Sequence, residues 1–190
     1  MLDRVAEARE CLDRAEARTS NGALLGECER LGHLAGARGF VAALLEVERE
    51  LRGGDTKKAL RLARRQVRRA RNAAESWLVL GIVRQKLGQS RRAERALRRA
   101  IALSPGLGEA HDRLGILLVS RGALDEGRGH LERAIALSPA DPAPRLHLAQ
   151  TAVLLGRADE GARHLEEARR LGANSETIEA VRRAFFSAGS

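Results

Sequence analysis

With 190 residues the chain is long enough for one ordinary domain or one short helical array with a continuous core. Its 44% hydrophobic content is mainly Ala and Leu, with no Tyr, one Trp and three Phe, which favours helix over sheet and excludes an aromatic-rich single-strand nucleic-acid platform. The formal charge of +9 is carried unevenly, and no run of about 18 apolar residues offers a bilayer span.

The N-terminus, MLDRVAEARECLDRAEAR, has acids from its third residue and no apolar core, so it does not read as a secretory signal and a cytoplasmic location is expected. Within residues 1–39 a stripe of Leu2, Val5, Cys11 and Leu12 is followed by the breaker Thr19-Ser20-Asn21-Gly22. A second helical pattern follows around Leu24, Leu25, Cys28 and Leu31. This segment is expected to be a helical pair, either a divergent unit or a cap. Cys11 and Cys28 have neither CxxC spacing nor a nearby His pair and are expected to be reduced, packed thiols.

From residue 40 onward one spacing dominates. Gly88, Gly122 and Gly156, then Leu97, Leu131 and Leu165, then Ala100, Ala134 and Ala168, each recur every 34 residues. Counting back by the same interval, Gly54 and Ala59 match Gly88 and Ala93, while Ala63 and Gln66 drift from Leu97 and Ala100, so 40–73 reads as a degenerate unit. The unit 74–107 carries Trp77, Leu80, Gly81 and Arg84 in its first helix, then Ala93, Leu97 and Ala100, closing at Pro105. The unit 108–141 carries His111, Leu114, Gly115 and Leu118, then Gly127, Leu131, Ala134 and Pro139. The unit 142–173 carries Arg145, Leu148, Ala149 and Ala152, then Gly161, Leu165 and Ala168, with Ala173 in the proline place. Asp141-Pro142 is a helix start signal, and Asn174-Ser175 opens a last helix in 174–190 with Ile178, Val181, Phe185 and Phe186.

This pattern, W-x2-L-G-x2-Y then A-x3-F then P, resembles the tetratricopeptide repeat (TPR), with Arg84 departing from it at the tyrosine position. The resemblance implies an all-α, right-handed superhelical solenoid of antiparallel helix pairs, in which each pair buries its apolar face by stacking on its neighbours. Small residues at Gly81, Gly115 and Ala149 would let the two helices of a unit approach closely. Leu97, Leu131 and Leu165 would fill the space between units, and the glycines at 88, 122 and 156 would end the first helices in the left-handed conformation. The last helix is similar to the solvating helix that closes such arrays, which leads us to expect the array to end there.

The resemblance also divides the surface, placing first helices along a concave groove and second helices on a convex back. Groove positions would be Glu75, Leu78, Val79, Ile82, Gln85 and Lys86; then Glu109, Asp112, Arg113, Ile116 and Val119; then Leu146, His147, Gln150 and Val153. Leu78 and Ile82 stand where carboxylate-clamping relatives carry Lys and Asn, so a chaperone-tail receptor is not expected. A mainly apolar groove suits an amphipathic helix or an apolar peptide.

Between Lys57 and Arg99, 15 Lys or Arg face only Glu75 and Glu94, a net +13 that leaves −4 for the remainder. The block comprises Lys57, Lys58, Arg61, Arg64, Arg65 and Arg68, then Arg91, Arg92, Arg95, Arg98 and Arg99 on the second helices, with the remaining charges between them. Such a block can meet an acidic protein surface, nucleic-acid phosphates or anionic lipid headgroups, with the acidic protein ranked first. There is no Gly-rich phosphate loop, GxSxG or HExxH motif, and paired acids such as Asp125-Glu126 and Asp159-Glu160 fit the starts of second helices, where they offset the dipole.

The sequence therefore points to a non-enzymatic adaptor or scaffold without cofactor or metal, holding a protein partner in its groove, with the basic block as a second contact. Three rivals remain: a secretion or pilus-assembly chaperone, the role of bacterial three-repeat proteins of this size; a nucleic-acid-associated protein using the Arg block; and an excised part of a longer protein, such as a polarity adaptor recruiting a small Ras-like GTPase or a TPR-bearing transferase.

Overall fold

The computed structural model describes residues 45–47 and 49–186, and among these every regular element is an α-helix. The expectations for residues 1–39, with Cys11 and Cys28, lie outside the described residues, as do the side chains of Phe185 and Phe186. The chain divides into two compact units, Met1–Arg71 and Asn72–Ser190, and each is taken by itself.

In the first unit, helical residues 45–47 and 49–52 lead to Gly54, whose φ of +83° is the left-handed conformation that glycine adopts without steric cost. Helix α1, Thr56–Arg69, follows, capped by Asp55, whose Oδ1 accepts from the Lys58 amide at 2.8 Å. Its buried stripe is Ala59, Ala63 and Gln66 at i, i+4 and i+7, while Lys57, Arg61, Arg64, Arg65, Arg68 and Arg69 are exposed.

The second unit contains α2 (Ala74–Lys86), α3 (Ser90–Leu103), α4 (Gly108–Ser120), α5 (Leu124–Leu137), α6 (Ala143–Leu154), α7 (Ala158–Arg170) and α8 (Ser175–Phe186). Turns of three residues join α2 to α3, α4 to α5 and α6 to α7, and each joined pair packs along its length as an antiparallel hairpin. The three turns share one cap. Gly88, Gly122 and Gly156 have φ of +69°, +83° and +74°, and the following amide reaches back five residues, as Gln89 to Arg84, Ala123 to Leu118 and Arg157 to Ala152 at 2.8–3.0 Å.

Close approach inside the first two hairpins is enforced by glycine, whose place in the third is taken by Ala149. A Cβ on Gly81 would sit 2.8 Å from Leu97 Cδ2, and one on Gly115 would sit 2.7 Å from Leu131 Cγ. Leu97 thus rests on its own hairpin's glycine while sharing one buried cluster with Ala110 and Leu114 of the next, so it fills both the gap within the unit and the gap between units. Trp77 is half-buried against that cluster.

Asp141 caps α6 through its Oδ1, which accepts from the Ala143 amide at 2.9 Å, and Pro142 leads into the helix with φ −73°. Asn174 starts α8 in the same way, accepting from the Glu176 amide at 2.7 Å. Ile178 and Val181 of α8 are buried with Ala149 and Leu165. Those two side chains cover an apolar face of the α6–α7 hairpin that water would otherwise meet.

Candidate protein-interaction site

Hairpin stacking sorts the second unit into two rows. The first helices α2, α4 and α6 touch in series, whereas the second helices are laced by Arg98 to Glu126 at 2.8 Å between α3 and α5, and by Arg128 to Glu160 at 3.2 Å between α5 and α7. Groove candidates therefore lie on α2, α4 and α6.

On that row Ile82, Gln85, Arg113, Ile116, Val119, Leu146, His147, Gln150 and Val153 are partly exposed. Glu109 and Lys86 are exposed and Glu75 is partly so. Leu78 and Val79 are 5% and 9% exposed, and Asp112 is 6% exposed, so these three belong to the packing beneath the row rather than to its surface. The cause at Leu78 is its place in the apolar cluster between α2, α3 and α4.

Asp112 is buried with a partner: its Oδ1 lies 2.7 Å from His147 Nδ1, joining α4 to α6. The carboxylate has no proton to give, so Nδ1–H donates and Nε2 of a neutral His147 is left as an acceptor. Thr151 Oγ1 in turn donates to the His147 carbonyl at 2.8 Å. Nearby, Arg113 pairs with Glu109 at 3.5 Å, one turn apart on α4. The row thus combines partly exposed aliphatic side chains with one fixed polar bridge. A further apolar residue belongs to it: Leu154, 51% exposed, lies two 34-residue steps beyond Lys86.

Between α4 and α5, His111 and His130 form a different arrangement. His111 occupies the tryptophan place of its unit, with Nδ1 3.0 Å from Nδ1 of His130 and Nε2 3.3 Å from the Pro105 carbonyl. Burial holds both imidazoles below the ordinary histidine range. For His111 the neighbouring His130 and Arg133 add to burial against the Pro105 carbonyl; for His130 Glu126 opposes burial and Arg98 reinforces it. In the next unit Arg145 takes the same place and ties the inter-unit turn, donating from Nη1 to the Pro139 carbonyl at 2.7 Å and approaching Glu167 at 3.3 Å. Among the described residues no three His, Cys, Asp or Glu side chains converge as a metal-ligand set.

Of the basic block, Arg91, Arg92, Arg95, Arg98 and Arg99 are all exposed on α3. Arg98 is committed to Glu94 and Glu126, and Glu94 also meets Arg121. On α1, Lys58 pairs with Glu50 at 2.9 Å.

Two family models, both described as tetratricopeptide repeat, match residues 78–142 and 118–184, which together span more than half of the chain. No curated protein sequence matches it. Among solved structures it is similar to TTC0263, a thermophilic TPR protein of Thermus thermophilus, at 19% identity and a TM-score of 0.69, over 97% of this chain and 98% of that one. It is also similar to YrrB, described as a TPR protein with an unusual peptide-binding site, at 16% identity and TM-score 0.62, over 93% and 99%. The O-GlcNAc transferase of Thermobaculum terrenum matches at 28% identity and TM-score 0.64 over 70% of this chain but only 26% of that one. No helix among the described residues is long and apolar enough to cross a membrane.

Proposed function

The chain belongs to the tetratricopeptide repeat family, and from that premise we propose that it is a non-enzymatic interaction scaffold that holds a helix or apolar peptide of a partner protein against the row formed by α2, α4 and α6. The repeat units are taken as 40–73, 74–107, 108–141 and 142–173. The observation that carries the reading is the row of partly exposed aliphatic side chains Ile82, Ile116, Val119, Leu146 and Val153, extended by exposed Leu154, on helices that touch in series. Covering what remains exposed of each such side chain contributes a fraction of the full-burial value of about 1.5–3 kcal/mol, before ordering costs. The Asp112–His147 bridge gives that apolar row one fixed polar group, the His147 imidazole, for a hydrogen bond with the partner. The peptide-binding description of YrrB supports the same ligand class.

The test is capture of a partner by the full chain beside the double variant Ile82→Glu, Ile116→Glu. Both positions are partly exposed, so helical circular dichroism should persist while capture is lost. Capture at wild-type strength by the folded double variant would reject this row as the binding surface.

A further inference from the structure

The five cationic positions of α3 are a repeat feature with a change of sign. Lys57, Lys58, Arg61, Arg64 and Arg65 recur, 34 residues later, as Arg91, Arg92, Arg95, Arg98 and Arg99. The next unit has Asp125, Glu126, Gly129, Glu132 and Arg133 in these places, and the following one has Asp159, Glu160, Arg163, Glu166 and Glu167. The helix positions tolerate either charge, so helix stability does not require the arginines.

On α3 the five arginines fall within an arc of about 120°, at 100° per residue. The buried Ala93, Ala96, Leu97 and Ala100 occupy the opposite side, so the arc is the outward one. Glu94 lies outside it and is already committed to Arg98 and Arg121.

Elsewhere in the second unit most arginines are neutralised locally, Arg133 and Arg163 being the exposed ones without such an ion pair. Arg128 meets Glu132 at 2.7 Å, Arg145 meets Glu167 at 3.3 Å, and Arg169 meets Glu166 at 2.8 Å. Arg91, Arg95 and Arg99 have no such carboxylate among the described residues, and Arg92 reaches only the side-chain oxygen of Gln89, at 3.5 Å. Like charges held one helical turn apart repel, and a polyanion removes that cost on contact.

The surroundings select among polyanions. The arc carries no aromatic side chain for stacking single-stranded bases and no large apolar residue to anchor a folded partner or enter a bilayer. A flat anionic membrane laid across the back would also meet the exposed Asp125 of α5, laced to α3, and Asp159 of α7, laced in turn to α5. A narrow rod of regularly spaced phosphates laid along α3 curves away from both, and meets Glu126 only where that carboxylate is already paired with Arg98. We infer that the outward arc of α3 is a sequence-independent docking surface for the phosphate backbone of a double-stranded nucleic acid. α1 carries the same pattern in the first unit, on its own exposed face.

The experiment measures fluorescence anisotropy of a mixed-sequence DNA duplex with the full chain across a salt series. The triple variants Arg91→Glu, Arg95→Glu, Arg99→Glu and Arg91→Ala, Arg95→Ala, Arg99→Ala are run beside it. These side chains are exposed and unpaired, and the alanine set favours the helix, so at least one variant reports on binding with the fold intact. The expected result is salt-sensitive binding that weakens about tenfold or more in either variant, with the slope of log affinity against log salt reduced by about 2 to 3. The groove variant Ile82→Glu, Ile116→Glu should keep wild-type duplex binding, so this inference and the proposed function fail separately. Absence of duplex binding at low salt, or unchanged affinity and slope in the triple variants, would overturn the inference. Arginine-dependent binding to phosphatidylserine vesicles or polyglutamate that matches or exceeds duplex binding would overturn it too.

Discussion

At the level of single residues, the 34-residue period carries most of the information, because a residue that must be small or left-handed has few substitutes. Gly115 shows this: its absent Cβ leaves room for Leu131 Cγ, and the Gly127 carbonyl would lie 3.0 Å from any Cβ placed there. Gly115→Val is expected to destabilise the chain by about 1–3 kcal/mol in denaturant unfolding, through overpacking of a hairpin that cannot spread. An equal substitution at Gly129, where a Cβ meets nothing within 4 Å, is expected to cost much less. The histidine pair was not legible from spacing, since His111 sits in a tryptophan place and its partner His130 is 19 residues away on the other helix of the hairpin. Both imidazoles titrate below the ordinary value of about 6.5, so as pH falls through that value the unfolded chain takes up protons the folded chain resists. Stability is accordingly fully present above about pH 7 and declines as pH falls toward 5. Thermal unfolding across that range should show the decline, and His130→Gln should flatten it; a wild-type midpoint that rises on acidification would contradict the assignment.

The helices themselves were legible wherever two signals coincided. Asp141 with Pro142, Asn174 with Ser175, and the glycines after α2, α4 and α6 mark ends that the backbone hydrogen bonds confirm. The side each helix residue faces was less legible, because a groove position and a core position can be adjacent on one helix. Leu78 and Val79 are drawn under the row by the neighbouring hairpin, and Asp112 is buried because His147, a full unit away, supplies its partner. Leu154 was not legible as a row residue, since Lys86 and Ser120 at the equivalent positions of the earlier units are polar. Helix α8 makes the clearest prediction of an element's worth. Ile178→Asp with Val181→Asp would uncover Ala149 and Leu165, and should lower stability by about 2–5 kcal/mol while the helices of α2 to α5 stay protected longest in hydrogen exchange.

At the largest scale, stacking within the second unit converts a one-dimensional repeat into two surfaces of different chemistry. First helices present a mainly aliphatic row with one Asp–His bridge, and second helices present charge whose sign changes along the repeats. The family resemblance divided the helices into these two rows, while the split of each helix between surface and core came only with packing. The occupant of the aliphatic row was not legible, because such side chains fix the ligand's polarity and not its order of residues. The central claim is that this row binds an apolar or amphipathic peptide, and the direct measurement is a selection from a displayed random-peptide library on the full chain, with each enriched peptide then titrated against wild type and Ile82→Glu, Ile116→Glu. The expected outcome is peptides rich in spaced aliphatic residues whose affinity falls at least about tenfold in the double variant, the cost of about 1.4 kcal/mol per decade. Enriched peptides that bind the double variant as tightly as wild type would place recognition elsewhere and contradict the account.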